Sequence, residues 1–215
     1  MKKKILYILF AGLTAVSCSD WLSTGTITEI EGPDLLKSEE GFKSALTGVY
    51  LQSGERSSYG GYMSWEFFDR LSYPYNNSGG WSYYLINSSN RYSHSNVYPI
   101  VDYVWLLAYK NIANVNYMLR HIDGAKGAFH PLSYSIIKGE LLALRAFYHF
   151  ELLKVFGLGN WQSDPAIMGK YTIPYVTVFS KDQTDQRTYA ETFKMLESDL
   201  TEALRYLAEG DPIYK

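Results

Sequence analysis

Apolar residues return at three- and four-residue intervals in four stretches of this chain, and long polar or aromatic intervals separate them. That spacing stacks side chains on one face of an α-helix. The first stretch carries Phe42, Ala45, Leu46, Val49 and Tyr50 behind Ser38, whose hydroxyl suits an N-cap, and predicts a helix ending near Gln52. The second runs from Pro99 to His121 with Trp105, Ala108, Tyr109, Ile112, Val115 and Leu119, and Asp123-Gly124 ends it. Pro99 fits a first helical turn, where its missing N–H would have had no helical partner. The third runs from Pro131 to Phe156 on a stripe of Ile137, Leu141, Leu144, Tyr148 and Leu152, with Phe147 and Val155 beside it and Gly157 as the stop. Ala143 and Ala146 are small enough to let a neighbouring helix approach. The fourth opens on Thr188 and Glu191, a T-x-x-E capping box, and continues through Phe193, Leu196, Leu200, Ala203, Leu204 and Leu207.

Residues Ser53 to Tyr98 break this rhythm. They are rich in Ser, Gly, Asn and Tyr, with Trp65, Trp81 and a Gly79-Gly80 pair. Met63 to Leu71 reads as a helical turn or a brief strand, and the rest as long surface loops. Loops of this length inside a compact domain are uncommon and often functional. Leu158 to Lys181 is irregular, with Tyr171 to Val178 the piece that reads as extended. The pattern predicts an all-α fold of helix pairs with long irregular loops. No period of 34 residues, the tetratricopeptide spacing, recurs between helices, although Ala143-x-x-x-Phe147 resembles part of that motif.

At the N-terminus Lys2, Lys3 and Lys4 precede an apolar run from Ile5 to Val16. The run is shorter than the roughly 20 residues of a membrane-spanning helix and fits a secretory signal. Ala15-Val16-Ser17 would suit ordinary signal peptidase. With Cys18 included it resembles a bacterial lipobox, and the single cysteine of the chain stands at the position such a box lipidates. The expected organisation is a signal peptide over 1–17, a lipid-anchored tether over 18–37 and a helical domain over 38–215.

Composition narrows the chemistry. Net charge is −2 and the pI about 6.1, which leaves no electrostatic footprint for nucleic acid. One cysteine permits no internal disulfide, and His94, His121 and His130 have no partners at metal-ligand spacing, so neither metal nor cofactor is expected. No G-x-S-x-G, H-E-x-x-H or phosphate-loop pattern occurs. The aromatic fraction of 16%, mostly 20 Tyr and 5 Trp, is the unusual feature. Sugar recognition needs flat aromatic faces beside groups that bond hydroxyls. Tyr73, Tyr75, Asn76, Asn77, Trp81, Tyr83 and Tyr84 supply that mix within one loop region. The candidate ligand contacts are Trp81, Tyr83, Tyr84, Tyr75 and Asn77, against the plainer reading that these rings pack the loop onto the helices. Glu140 and Arg145, inside an apolar stretch, read as a partly buried ion pair or hydrogen-bonded cluster joining helices. Glu66 and Asp69 are the only carboxylate pair near the aromatic loops, too close in sequence to form opposite walls of a hydrolytic cleft. A binder is therefore expected, with no catalytic residues.

Three stretches together carry a resemblance: Glu40-Gly-Phe-Lys-Ser-Ala-Leu-Thr-Gly-Val-Tyr50, Trp105-Leu-Leu-Ala-Tyr-Lys-Asn-Ile-Ala-Asn114, and Lys138-Gly-Glu-Leu-Leu-Ala-Leu-Arg-Ala-Phe-Tyr-His-Phe-Glu-Leu-Leu-Lys-Val-Phe-Gly157. In order and content they resemble the N-terminal half of the SusD/RagB family of outer-membrane nutrient-binding lipoproteins. Ile173-Pro-Tyr-Val176 and the capped helix with Asp199-Leu200 extend the resemblance over nearly the whole mature chain. The resemblance implies tetratricopeptide-like helix pairs, a lipid anchor at the cell surface, and a glycan or peptide ligand. It also implies a lid-like association with a SusC-like TonB-dependent transporter. Family members are longer, and the C-terminal part that supplies further helices and part of their ligand face is expected to be absent. The function expected is capture of oligosaccharides for that transporter. The alternatives are a helical adaptor without its own small-ligand site and a surface glycoside hydrolase.

Overall fold

Ser38 opens the first long helix of the computed structural model, which describes residues 32–67, 97–161 and 163–210. Residues 1–34 and 35–215 form separate compact units, and of the first only the start of a helical turn, Gly32–Leu35, is described. The Ser38 side chain accepts the Gly41 N–H at 3.2 Å and so satisfies one orphan donor of helix α1 (Glu39–Ser53). Helix α2 spans Tyr98–Ile122 with Pro99 in its first turn, and α3 spans Pro131–Phe156 with Pro131 at its start. Helix α4 spans Tyr189–Gly210. Its capping box is formed as the sequence predicts: the Thr188 N–H donates to Glu191 Oε2 at 2.8 Å, and the Glu191 N–H to Thr188 Oγ1 at 3.3 Å. Single turns of 3-10 helix, Lys126–Ala128 and Pro165–Gly169, sit in the connections.

Helix α3 is the central element, packing most extensively on α4, then on α2, with α1 against both α2 and α3. It buries Tyr134, Ile137, Leu141, Leu142, Ala146, Tyr148, His149, Leu152 and Leu153, which face more than one neighbour. One continuous core joins these to Phe42, Leu46 and Val49 of α1, Ala108, Ile112, Val115 and Met118 of α2, and Leu196 of α4. Close approach of α3 to α4 falls at Gly139, where a Cβ would stand 2.7 Å from Leu207 Cγ and 3.0 Å from the Ala203 carbonyl. The fold is all-α with tetratricopeptide-like helix pairs, interrupted among the described residues by one two-stranded antiparallel ribbon. Its strands are β1 (Tyr171–Pro174) and β2 (Gln186–Thr188).

Two expectations are refined. On α4 the buried positions are Tyr189, Thr192, Leu196, Asp199, Ala203 and Gly210, while Leu200 and Leu204 are more than half exposed. Those two leucines lie one residue, or 100°, round the helix from the face that meets α3. The extended piece read from Tyr171 to Val178 is a strand only over Tyr171–Pro174, and the segment after it is held by side chains rather than by a ladder.

Candidate functional site

The chain leaves α1 at Gly54 and folds back tightly before entering the aromatic-rich interval. Tyr59 N–H donates to the Ser53 carbonyl at 2.9 Å, Tyr62 N–H to Arg56 at 2.8 Å and Met63 N–H to Ser58 at 2.8 Å. The fold-back is tight enough to require glycine: a Cβ on Gly60 would stand 2.1 Å from the Gly54 carbonyl oxygen. A wide helical turn, Tyr62–Glu66, follows and is the helical alternative over the start of the Met63–Leu71 piece, whose residues 68–71 lie outside the described ones. Arg56 Nε reaches the buried Glu66 carboxylate at 2.8 Å and closes the turn on itself.

This root is moored to α3 by aromatic contact. The Tyr59 ring packs on Phe147 with centroids 5.2 Å apart, and Ser53 at the end of α1 bonds the Tyr148 hydroxyl. Burial, with the Glu151 carboxylate close by, holds the Tyr59 hydroxyl well above the ordinary phenol range, so it stays protonated. At the far side Phe67, Val97 and Ile100 form a small apolar cluster with Tyr62 and Val101 against it. The departing and returning ends of the 68–96 interval therefore share one packed base. Trp65 on that base is 61% exposed.

A second set of polar groups lies inside the frame. Arg145 of α3 grips Asp199 of α4 with two bonds, Nε to Oδ2 at 2.7 Å and Nη2 to Oδ1 at 2.6 Å. Its remaining nitrogen reaches Asn116 of α2 at 3.1 Å, and the Tyr175 hydroxyl donates to Asp199 at 2.7 Å. The segment 174–177 is clasped from three directions. Tyr109 donates to the Pro174 carbonyl at 2.8 Å, and Asn116 to the Val176 carbonyl at 2.8 Å. Val176 N–H donates to His149 Nε2 at 2.9 Å. Because Nε2 accepts, the proton of the neutral ring sits on Nδ1 and faces the Arg145 carbonyl at 2.8 Å. Burial, aided by the nearby Arg145 charge, pushes the His149 pKa down to about 4, so this tautomer persists at neutral pH. The ring stacks on Tyr175 at 3.8 Å.

Sequence reasoning anticipated that Arg145 and Glu140 join helices but did not find their partners. Glu140 accepts from Tyr50 of α1 at 2.9 Å, and Arg145 takes Asp199, 54 residues away. His149 had no motif to mark it. The candidate ligand contacts Trp81, Tyr83, Tyr84, Tyr75 and Asn77 lie outside the described residues, as do Cys18, Asp69 and the predicted signal segment. Among the described residues no group of His, Cys, Asp and Glu is arranged to hold a metal, and no helix is long and apolar enough to cross a membrane. Three described carboxylates near the root have side-chain partners: Glu66 has Arg56, Glu151 has Lys154 and Glu140 has Tyr50.

Residues 31–212 match the family model for SusD-like proteins described as starch-binding and associating with the outer membrane. Solved structures share the fold. A SusD superfamily protein from Bacteroides thetaiotaomicron is 19% identical at a TM-score of 0.58, covering 79% of this chain and 37% of that one. A SusD-like carbohydrate binding protein from Bacteroides vulgatus is 20% identical at a TM-score of 0.57, covering 79% and 36%. A further SusD superfamily protein from that organism is 20% identical at 0.58, covering 84% and 36%. The chain thus spans little more than a third of the length of the solved structures it matches. No curated protein matches it.

Proposed function

Because the chain belongs to the SusD-like family, we propose that it is a lipid-anchored protein of the outer-membrane surface that captures oligosaccharides for a SusC-like TonB-dependent transporter. Cys18 is the lipidated residue in this reading, the helical frame the scaffold, and the 68–96 interval the ligand-contacting insertion. Trp81, Tyr83, Tyr84 and Tyr75 offer faces to pyranose rings, and Asn77 bonds hydroxyls. The observation that carries the proposal is the shared base of Phe67, Val97 and Ile100, which fixes both ends of an aromatic-rich interval to the frame. A pre-fixed base lowers the ordering cost that binding must overcome. The family description and the sugar-binding names of the structural relatives support the same ligand class.

Binding without turnover is the reading we adopt, and the pairing of Glu66 with Arg56, Glu151 with Lys154 and Glu140 with Tyr50 supports it. Incubation of purified protein with oligosaccharides tests this directly. Retention without cleavage is expected, with weaker retention by Trp81→Ala at unchanged helical circular dichroism. Cleavage would make the protein a hydrolase. Co-purification with a transporter but no retention of any oligosaccharide would make it an adaptor.

A further inference from the structure

A groove of about 480 Å³ opens beside the β-ribbon, lined by Tyr171, Asp185, Gln186, Arg187, Thr188 and Glu191. Its volume is in the range of small-ligand sites. Tyr171 is 72% exposed, more than any other large apolar side chain among the described residues. The ribbon itself produces that exposure. Tyr171 pairs with Thr188 and Pro174 with Gln186, and the register shifts between them. A regular strand would send Tyr171 and Ile173 to the same side, yet Ile173 is buried with Thr172. The irregularity turns Tyr171 outward, as bulges do where they re-aim a side chain.

Around this ring several polar side chains keep unused bonding capacity. Among the described residues the side chains of Asp185, Gln186 and Arg187 make no hydrogen bond or salt bridge, and all three are exposed. Glu191 uses Oε2 on Thr188, and the Thr188 backbone and hydroxyl bonds hold its pKa below the ordinary carboxylate range. The groove therefore presents a flat aromatic face, donors on Arg187 and Gln186, and acceptors on Asp185, Gln186 and Glu191. Two carboxylates against one guanidinium leave it net negative, which disfavours acidic ligands.

We propose that this groove is a second carbohydrate contact, in which a neutral sugar ring stacks on Tyr171 and hydrogen-bonds Asp185, Gln186 and Arg187. The proposal rests on the glycan-binding reading but on different residues from the 68–96 interval. The full chain labelled with 3-fluorotyrosine is titrated with neutral maltoheptaose, xylohexaose and mannohexaose and with acidic oligogalacturonate, the Tyr171 resonance being assigned by its loss in Tyr171→Ala. The expected result is a Tyr171 shift with at least one neutral oligosaccharide and none with oligogalacturonate. Tyr171→Ala and Arg187→Gln should each weaken that affinity by about fivefold, with unchanged circular dichroism because both side chains are exposed. A silent Tyr171 resonance and unaltered Tyr171→Ala affinity, with binding lost in Trp81→Ala, would overturn this site and leave the capture function standing. Loss of transporter co-purification in Tyr171→Ala with glycan affinity intact would overturn it in favour of a protein contact. Absence of binding by every oligosaccharide would remove both.

Discussion

Two irregular stretches leave the helices, 54–67 and 174–177, and they are held by opposite means. The first is tied mainly to itself: its backbone bonds join residues three to six apart in sequence, and its ion pair Arg56–Glu66 closes over 10 residues. The second has almost no internal bonding and is gripped by side chains from 24 to 65 residues away, on α2, α3 and α4. Local closure makes a turn that folds with its own segment and touches the frame through apolar contacts, Tyr59 on Phe147 of α3 and Tyr62 and Phe67 on the start of α2. Long-range closure makes a segment whose position depends on three helices being in place. The contrast assigns the clasp to holding the frame together and leaves the root a self-closed turn that leads into the 68–96 interval.

The largest effect is expected where the clasp is cut. Arg145→Ala leaves the Asp199 carboxylate buried without its guanidinium, and should cost about 3–5 kcal/mol in denaturant unfolding. Arg145→Lys should recover little of it, since an ammonium cannot make the two parallel bonds. A cost below about 1 kcal/mol would show that the grip is replaceable by water.

Acid should open the clasp next. The unfolded chain protonates His149 near its ordinary value of 6.5, whereas the folded one does so near 4. Between those values the unfolded state binds more protons, so stability falls as pH falls. The loss from this group is on the order of 3 kcal/mol, complete below pH 4 and absent above 6.5. Denaturation midpoints across that window should decline in the wild type and flatten in His149→Gln. An equal slope in both would move the acid sensitivity to other groups.

The smallest effect belongs to the root. Phe147→Ala removes the ring under Tyr59 and should cost about 1 kcal/mol or slightly more. The informative readout is local: amide exchange at Tyr62 and Met63 should quicken while Val176 stays protected. Faster exchange at Val176 as well would erase the distinction between the two regions.

Much of the frame was legible because helix signals are local. Ser38, the Thr188–Glu191 box, Pro131 and Gly157 each mark a boundary by satisfying or stopping backbone bonds nearby. What joins the helices was less legible. Arg145 in an apolar stretch announced a buried partner, but nothing in the sequence singles out Asp199 from other carboxylates. Leu200 and Leu204 looked like core by spacing, because a stripe of apolar residues does not say which of its edges a neighbour covers. The strand Gln186–Thr188 has no alternation of its own and exists through pairing with β1. Of the site, the aromatic and amide composition of the insertion was readable, whereas the shared base at Phe67 and Val97 depends on distant residues meeting. The exposure of Tyr171 carried no mark in the sequence, because it goes with a register shift between two strands.

The most direct test excises the insertion. Residues 68–96 are replaced by a short Gly-Ser linker between Phe67 and Val97, which already pack in one cluster, and calorimetric titration compares the variant with the wild type on neutral oligosaccharides. The account predicts unchanged helical circular dichroism and unfolding midpoint with oligosaccharide affinity reduced at least tenfold. Full affinity in the excised protein would contradict it.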